Sequence, residues 1–201
     1  MYLVTLAGTS ITDRARLTTT NLIALWSAMA VITLIGLGFY LARSISRPLA
    51  EFRMLAGLSD MGLPVPAPLA ALCARQGLRY RGWLLLERIL QVVPLADLIM
   101  ERADDDSLWR RCGAVIRRFH AAGVVHADLN ARNILVGQGP AVHLVDFDRA
   151  RLAANDAAAF RANLARLRRS LEKLWPDPLR DRLEGCWRQL EGGYAQAGEA
   201  V

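Results

Sequence analysis

From Asn21 to Ala42 the chain runs 22 residues without a formal charge, NLIALWSAMAVITLIGLGFYLA. A helix rises 1.5 Å per residue, so such a run spans a hydrocarbon layer of about 30 Å. Trp26 lies near one end and Tyr40 near the other, where amphipathic rings favour the lipid–water boundary. A globular core helix of this length ordinarily keeps a polar face, and this run has none. The run predicts a single transmembrane helix over about residues 21–42. A cleaved signal peptide fits poorly, because the run is long, starts late and lacks a small-residue cleavage site before Arg43. Flanking charge is a near tie for orientation, with Arg14, Arg16 and Asp13 before the run and Arg43 and Arg47 after it.

The composition changes near Pro48, which predicts an N-terminal segment over 1–48 and a second domain over 49–201. A chain of 201 residues, 53% hydrophobic and 22% charged, buries a core and is not disordered. Net charge is +6, and Lys173 is the only lysine among 25 basic residues. An arginine-biased surface suits an acidic partner, and a GC-rich genome produces the same bias. Cys73, Cys112 and Cys186 are odd in number and form no C-x-x-C pair, so reduced thiols are expected rather than disulfides or structural zinc. Three histidines, His120, His126 and His143, are too few for a His-rich metal cluster.

Residues 49–61 have helical spacing through Phe52, Leu55, Ala56 and Leu58, with Gly62 as a stop. The Pro-rich stretch after it must be extended or turning. Trp83–Leu86 reads as a buried strand ending at Glu87 and Arg88. An amphipathic helix follows over Ser107–Ala122, with Leu108, Cys112, Val115, Ile116 and Phe119 on its buried stripe and Asp104, Asp105 and Asp106 ahead of it. Short strands Ile134–Val136 and Val142–Val145 flank a Gly137–Pro140 turn. Two helices, broken at Trp175–Pro178, complete the chain to about 199.

Chemistry concentrates in HADLNARNIL (126–135) and HLVDFD (143–148). In the pattern H-x-D-L-x-x-x-N, the Asp receives a hydroxyl proton and the Asn, five residues on, binds metal. A D-F-x loop after a short hairpin supplies a second metal ligand. These positions are Asp128, Asn133 and Asp146, and few hard oxygen ligands suit Mg²⁺ bound together with ATP phosphates. A lone H-x-D or a carboxylate after a strand is usually a turn feature. The combination with a preceding amphipathic helix points to a protein-kinase-like phosphotransferase. His126 is expected to brace the loop, and His120 and His143 to be packing or surface residues.

Two resemblances add to this. LARSISRPL (41–49) resembles the junction at which bacterial sensor kinases and chemoreceptors leave the membrane for a HAMP linker, which implies that the part after Pro48 is cytoplasmic. EFRMLAGLSDMGLPVPAPLAA, LLLERI, GVVHADLNARNILV, VHLVDFDRARL and NLARLRRSLEKL resemble the 3-deoxy-D-manno-octulosonic acid (Kdo) kinase family of lipopolysaccharide synthesis, over about residues 50–190. The resemblance implies an α+β, protein-kinase-like fold with a mostly helical C-lobe and a short β-hairpin. It implies ATP and Mg²⁺ as cofactors, a Kdo-lipid A precursor as acceptor, and action at the cytoplasmic face of the inner membrane of a Gram-negative bacterium. Nucleic acid is not an expected partner.

Carried over by position, Asp128 is the base and Asn133 and Asp146 are Mg²⁺ ligands. Glu51 stands at the helix-C glutamate, and Glu87–Ile89 at the nucleotide-binding hinge. Asn130 replaces the lysine common in Ser/Thr protein kinases, and Asp148 the usual glycine of the metal loop. Arg149, Arg151, Arg161, Arg166, Arg168 and Arg169 could meet phosphates or sugar carboxylates, or form a solvated helix face. No glycine-rich loop and no lysine precede Lys173, so the N-lobe is expected to be largely missing. Alternatives are a membrane-anchored pseudokinase-like binding module or a related heptose kinase.

Overall fold

The computed structural model describes residues 5–76 and 79–199, with the side chains at 5–20, 37, 39–47, 75, 76, 79, 80 and 199 outside the description. The chain is a mixed α+β protein, rich in helix with three small sheets. It divides into two units, Met1–Ser46 with Arg75–Arg81, and Arg47–Ala74 with Gly82–Val201.

The smaller unit contains the first part of helix α1 (Thr5–Asp60). Its apolar side chains from Leu22 to Ile35 are all exposed. The transmembrane helix expected over 21–42 is not found: among the described residues, no helix is long and apolar enough to cross a membrane. Residues 37 and 39–42 of that expectation lie outside the described side chains.

The larger unit has its own core. The last turns of α1 contribute Leu55 and Leu58, each 1% exposed, and α1 ends at Asp60 before Gly62, which adopts φ +67°. Burying a leucine this fully contributes about 1.5–3 kcal/mol, which anchors this part of α1 to the core. The helix runs through Pro48 rather than starting after it, although proline supplies no N–H to the ladder.

Strands β1 (Pro68–Gln76) and β2 (Arg79–Leu86) form a two-stranded sheet. The buried strand expected at 83–86 is covered on one face only. Leu84 and Leu86 pack on the core, while Trp83 and Leu85 are exposed, as the period of two requires when a single layer covers a sheet.

Strand β3 (Val92–Pro94) leads into helix α2 (Leu95–Arg102), then α3 (Asp106–Ala121). The stripe on α3 is as its spacing predicts at Leu108, Cys112, Ile116 and Phe119. Val115 is only half-buried, and Trp109 and His120 join the core. The Asp105 carboxylate caps α3 by accepting from Leu108 N at 3.0 Å. Strand β4 (Val124–Val125) precedes the loop, and β5 (Ile134–Gly137) and β6 (Val142–Leu144) follow it. The order β3-β5-β6 is antiparallel throughout, with Ile134 opposite Leu144. β7 (Arg151–Leu152) pairs with β4, which closes the segment that carries both loops.

Helix α4 (Ala157–Leu174), a 3-10 turn (Asp177–Arg182) and α5 (Leu183–Glu199) complete the unit. α3 and α5 cross at two glycines. A Cβ on Gly113 would stand 1.9 Å from the Leu190 carbonyl oxygen, and one on Gly193 would stand 2.0 Å from that of Arg110.

Candidate functional site

The loop after β4 is held by His126. Its ring accepts from Asp128 N at Nδ1 (3.2 Å) and donates from Nε2 to the Val145 carbonyl (2.9 Å), which assigns the neutral Nε2–H tautomer. Burial lowers the pKa of the ring from its ordinary value, against the opposing hydrogen bond to Val145. His126 thereby joins the segment bearing Asp128 to the segment bearing Asp146. Phe147 lies beneath, 1% exposed, with ring centroids 5.7 Å from Phe119 and 4.9 Å from His126.

Asp128 is exposed, and its Oδ2 accepts from Asn130 Nδ2 at 3.0 Å. Asn130 also accepts from Arg132 N and Asn133 N, which folds the loop into a tight turn. Asn133 donates from Nδ2 to the Asp128 carbonyl at 2.9 Å, and its own carbonyl accepts from Val145 N at 3.1 Å. With Nδ2 engaged, Oδ1 is the atom of the Asn133 amide available for a cation.

Asp146 takes φ +70°, a left-handed conformation that aspartate tolerates better than most residues. The bend sends Phe147 into the core and leaves Asp146 on a cavity of about 300 Å³. Glu51, Leu55, Pro66, Leu86, Glu87, Ile89, Leu135, Val145 and Asp146 are among its walls. Four of the positions singled out in the sequence, Glu51, Glu87, Ile89 and Asp146, therefore share one apolar-walled cavity. Asp128 and Asn133 do not line it and are tied to it through Val145. Burial raises the pKa of Glu51, and the carboxylates of Asp148 and Asp146 raise it further. A lysine partner would have the opposite effect.

The accumulated negative charge and the hard donors Asn133 Oδ1 and Asp146 fit a divalent cation bound together with phosphates. Among the described residues no three His, Cys, Asp or Glu side chains gather to hold a metal ion.

Sequence spacing missed the support behind the loop. Asn163 on α4 is 5% exposed, accepts from His126 N at 3.0 Å and donates to the His126 carbonyl at 2.8 Å. Ser170 Oγ accepts from Ala131 N at 3.2 Å. Arg166 Nη1 stands 3.9 Å from Asp128 Oδ1. Positions 163, 166 and 170 share one helical face beside buried Leu167 and Leu171, and that polar interruption of an apolar stripe was the available signal. His120, expected to be a packing or surface residue, is a packing residue. It is stacked on Phe160 at 4.5 Å, with Nδ1 2.8 Å from the Tyr194 hydroxyl.

A helical core that presents an H-x-D-L-x-x-x-N loop and a D-F loop on one side defines a kinase-type scaffold. The chain belongs to the lipopolysaccharide kinase (Kdo/WaaP) family, whose pattern it matches over residues 40–194. It is 43% identical over 152 residues to a 3-deoxy-D-manno-octulosonic acid kinase of Xanthomonas campestris pv. campestris (strain B100), covering 76% of this chain and 61% of the relative. It is 47% identical over 129 residues to the enzyme of that name from Stenotrophomonas maltophilia (strain R551-3), covering 64% and 51%. Against the one from Xylella fastidiosa (strain 9a5c) it is 42% identical over 149 residues, covering 74% and 59%. The chain thus spans about three fifths or less of the length of these relatives.

Proposed function

We propose that this chain phosphorylates a hydroxyl of Kdo on a lipid A precursor, with Mg·ATP as donor. The observation that carries the reading is the hydrogen-bonded joining of the Asp128 loop to the Asp146 loop through His126, Val145 and Asn133. Asp128 accepts the proton of the acceptor hydroxyl as its oxygen attacks the γ-phosphorus and ADP leaves in line. Asn130 holds the Asp128 carboxylate by one oxygen, which leaves Oδ1 to the acceptor. Asn133 and Asp146 would hold Mg²⁺, which would neutralise charge on the phosphates. The apolar walls of the cavity take the base of the nucleotide. Glu87 N is already engaged by the Ala67 carbonyl at 2.8 Å, so other backbone groups of the 87–89 segment read the base edge.

The exposed apolar surface of α1 between Leu22 and Ile35 supports a location at the inner membrane, with the larger unit in the cytoplasm beside its lipid-linked acceptor. The decisive experiment incubates the purified chain with Mg·ATP and Kdo-lipid A precursor. Phosphate transfer that disappears in Asp128→Ala supports the reading, and no transfer by the wild-type chain sinks it.

A second reading, a binding module without turnover, is favoured by one observation: Glu51 lies among carboxylates, and this sequence has no lysine before Lys173. Nucleotide binding without transfer at millimolar Mg·ATP would select it.

A further inference from the structure

The face of α4 that meets the catalytic loop carries three polar side chains in register with it: Asn163 at His126, Arg166 at Asp128 and Ser170 at Ala131. The outer two are committed to backbone groups of the loop. Arg166 differs. Its guanidinium approaches Asp128 Oδ1 to 3.9 Å, beyond hydrogen-bonding distance, and the two side chains are 50% and 58% exposed. An ion pair this open contributes at most about 1 kcal/mol, so stability does not account for the placement.

Two other arginines of the region are engaged elsewhere. Arg151 pairs with Asp156 at 3.0 Å, and Arg168 binds Glu172 and Glu184 and lies over the Trp187 ring. Neither Arg166 nor Asp128 lines the apolar cavity, so the pair stands apart from the walls proposed for the nucleotide.

We infer that Arg166 is a substrate-binding residue that takes the carboxylate of the acidic acceptor sugar while Asp128 takes the hydroxyl to be phosphorylated. The inference rests on the phosphotransfer reading above and names the acceptor group that the site selects. A planar guanidinium with five donors matches a carboxylate in a two-point fork, whereas a point-charge ammonium does not. Asn163 and Ser170 fix the register of α4 against the loop, so the distance between anion and hydroxyl is set by the fold. A sugar in which carboxylate and hydroxyl are separated differently is then held with the wrong oxygen at Asp128.

The test compares wild type, Arg166→Ala and Arg166→Lys in the full chain. Binding is measured with free Kdo and with its methyl ester, and transfer is measured with Kdo-lipid A precursor. Arg166→Ala is expected to weaken binding of the acid by about tenfold and leave the ester unchanged, the loss of one charge-assisted pair. Arg166→Lys should restore only part of the difference. In turnover the acceptor KM rises while the KM for ATP stays where it was. Equal losses for acid and ester, an unchanged acceptor KM, or a wild-type chain that does not bind the acid would each overturn the assignment. Binding of the acid that depends on Arg166 without any phosphate transfer keeps the carboxylate site and removes the phosphotransfer reading instead.

Discussion

Asn163 carries more of the site's architecture than its position in a helix suggests, because it satisfies both backbone groups of His126. Replacing it with alanine leaves a buried donor and a buried acceptor without partners, at about 1–3 kcal/mol for each group so stranded. Asn163→Ala is therefore expected to lower the unfolding free energy by several kcal/mol, read as a lower urea midpoint, and to weaken phosphate transfer. An unchanged midpoint would show that the loop is held otherwise.

The buried histidines set an acid limit. Burial holds His120 down to about 4, against 6.5 when unfolded, and lowers His126 as well. Between those values the unfolded chain binds more protons, so stability is full above about pH 6.5 and falls as pH drops toward 4. Glu51 works the other way, because its raised pKa favours the fold below its ordinary 4.5 and that contribution is lost as pH rises through the folded value. Urea unfolding from pH 4 to 7 should show stability rising with pH, and the rise should be steeper in Glu51→Gln.

At the scale of elements, α3 is the helix on which the site depends, and its two ends of control are the cap and the glycine crossing. Asp105 accepts hydrogen bonds from Ser107 and Leu108 N and pairs with Arg102, and these partners lower its pKa to about 2. Asp105→Ala should cost about 1 kcal/mol, with the difference from wild type vanishing as pH falls from 3.8 toward 2. Thermal melts at pH 7 and pH 2.5 would read it. The crossing is less forgiving, because the atoms that oppose a Cβ at Gly113 and Gly193 belong to backbone and cannot rotate away. Gly193→Ala should destabilise by about 1–3 kcal/mol or more through overpacking. A melting temperature equal to wild type would mean that α3 and α5 can separate cheaply.

For the molecule as a whole, the exposed apolar side chains of α1 are what the proposed membrane location rests on. Leu22, Ile23, Leu25, Trp26, Met29, Val31, Ile32, Leu34 and Ile35 project from α1 in every direction. In water such a surface aggregates or finds a partner, and the proposed location makes that partner lipid. The chain should sediment with membranes and resist extraction by salt. Ile32→Asp, which puts a charge on that apolar surface, should move a large share into the supernatant. Equal partitioning of the two would exclude lipid contact by this face.

How far the fold was legible follows from the range of the interactions involved. Local periodicity located α3, the β5–β6 hairpin, the break between α4 and α5, and the end of α1 before Gly62, because each depends on residues within a few positions of one another. The Asp128, Asn133 and Asp146 positions were legible for the same reason, being separated by fixed short spacings. Tertiary structure alone decided the rest. It set the exposed face of Trp83 and Leu85, the placement of Glu51 beside Asp146 and Asp148, the burial of His120, and the alignment of Asn163, Arg166 and Ser170 along the loop. These depend on which helix crosses which strand and at what offset, and contacts over 37 or 39 positions leave no period in the chain. The sequence by itself determined the short spacing by which the Asp128 loop is proposed to carry the chemistry; the packing of α4 against that loop decided which side chains lie beside Asp128.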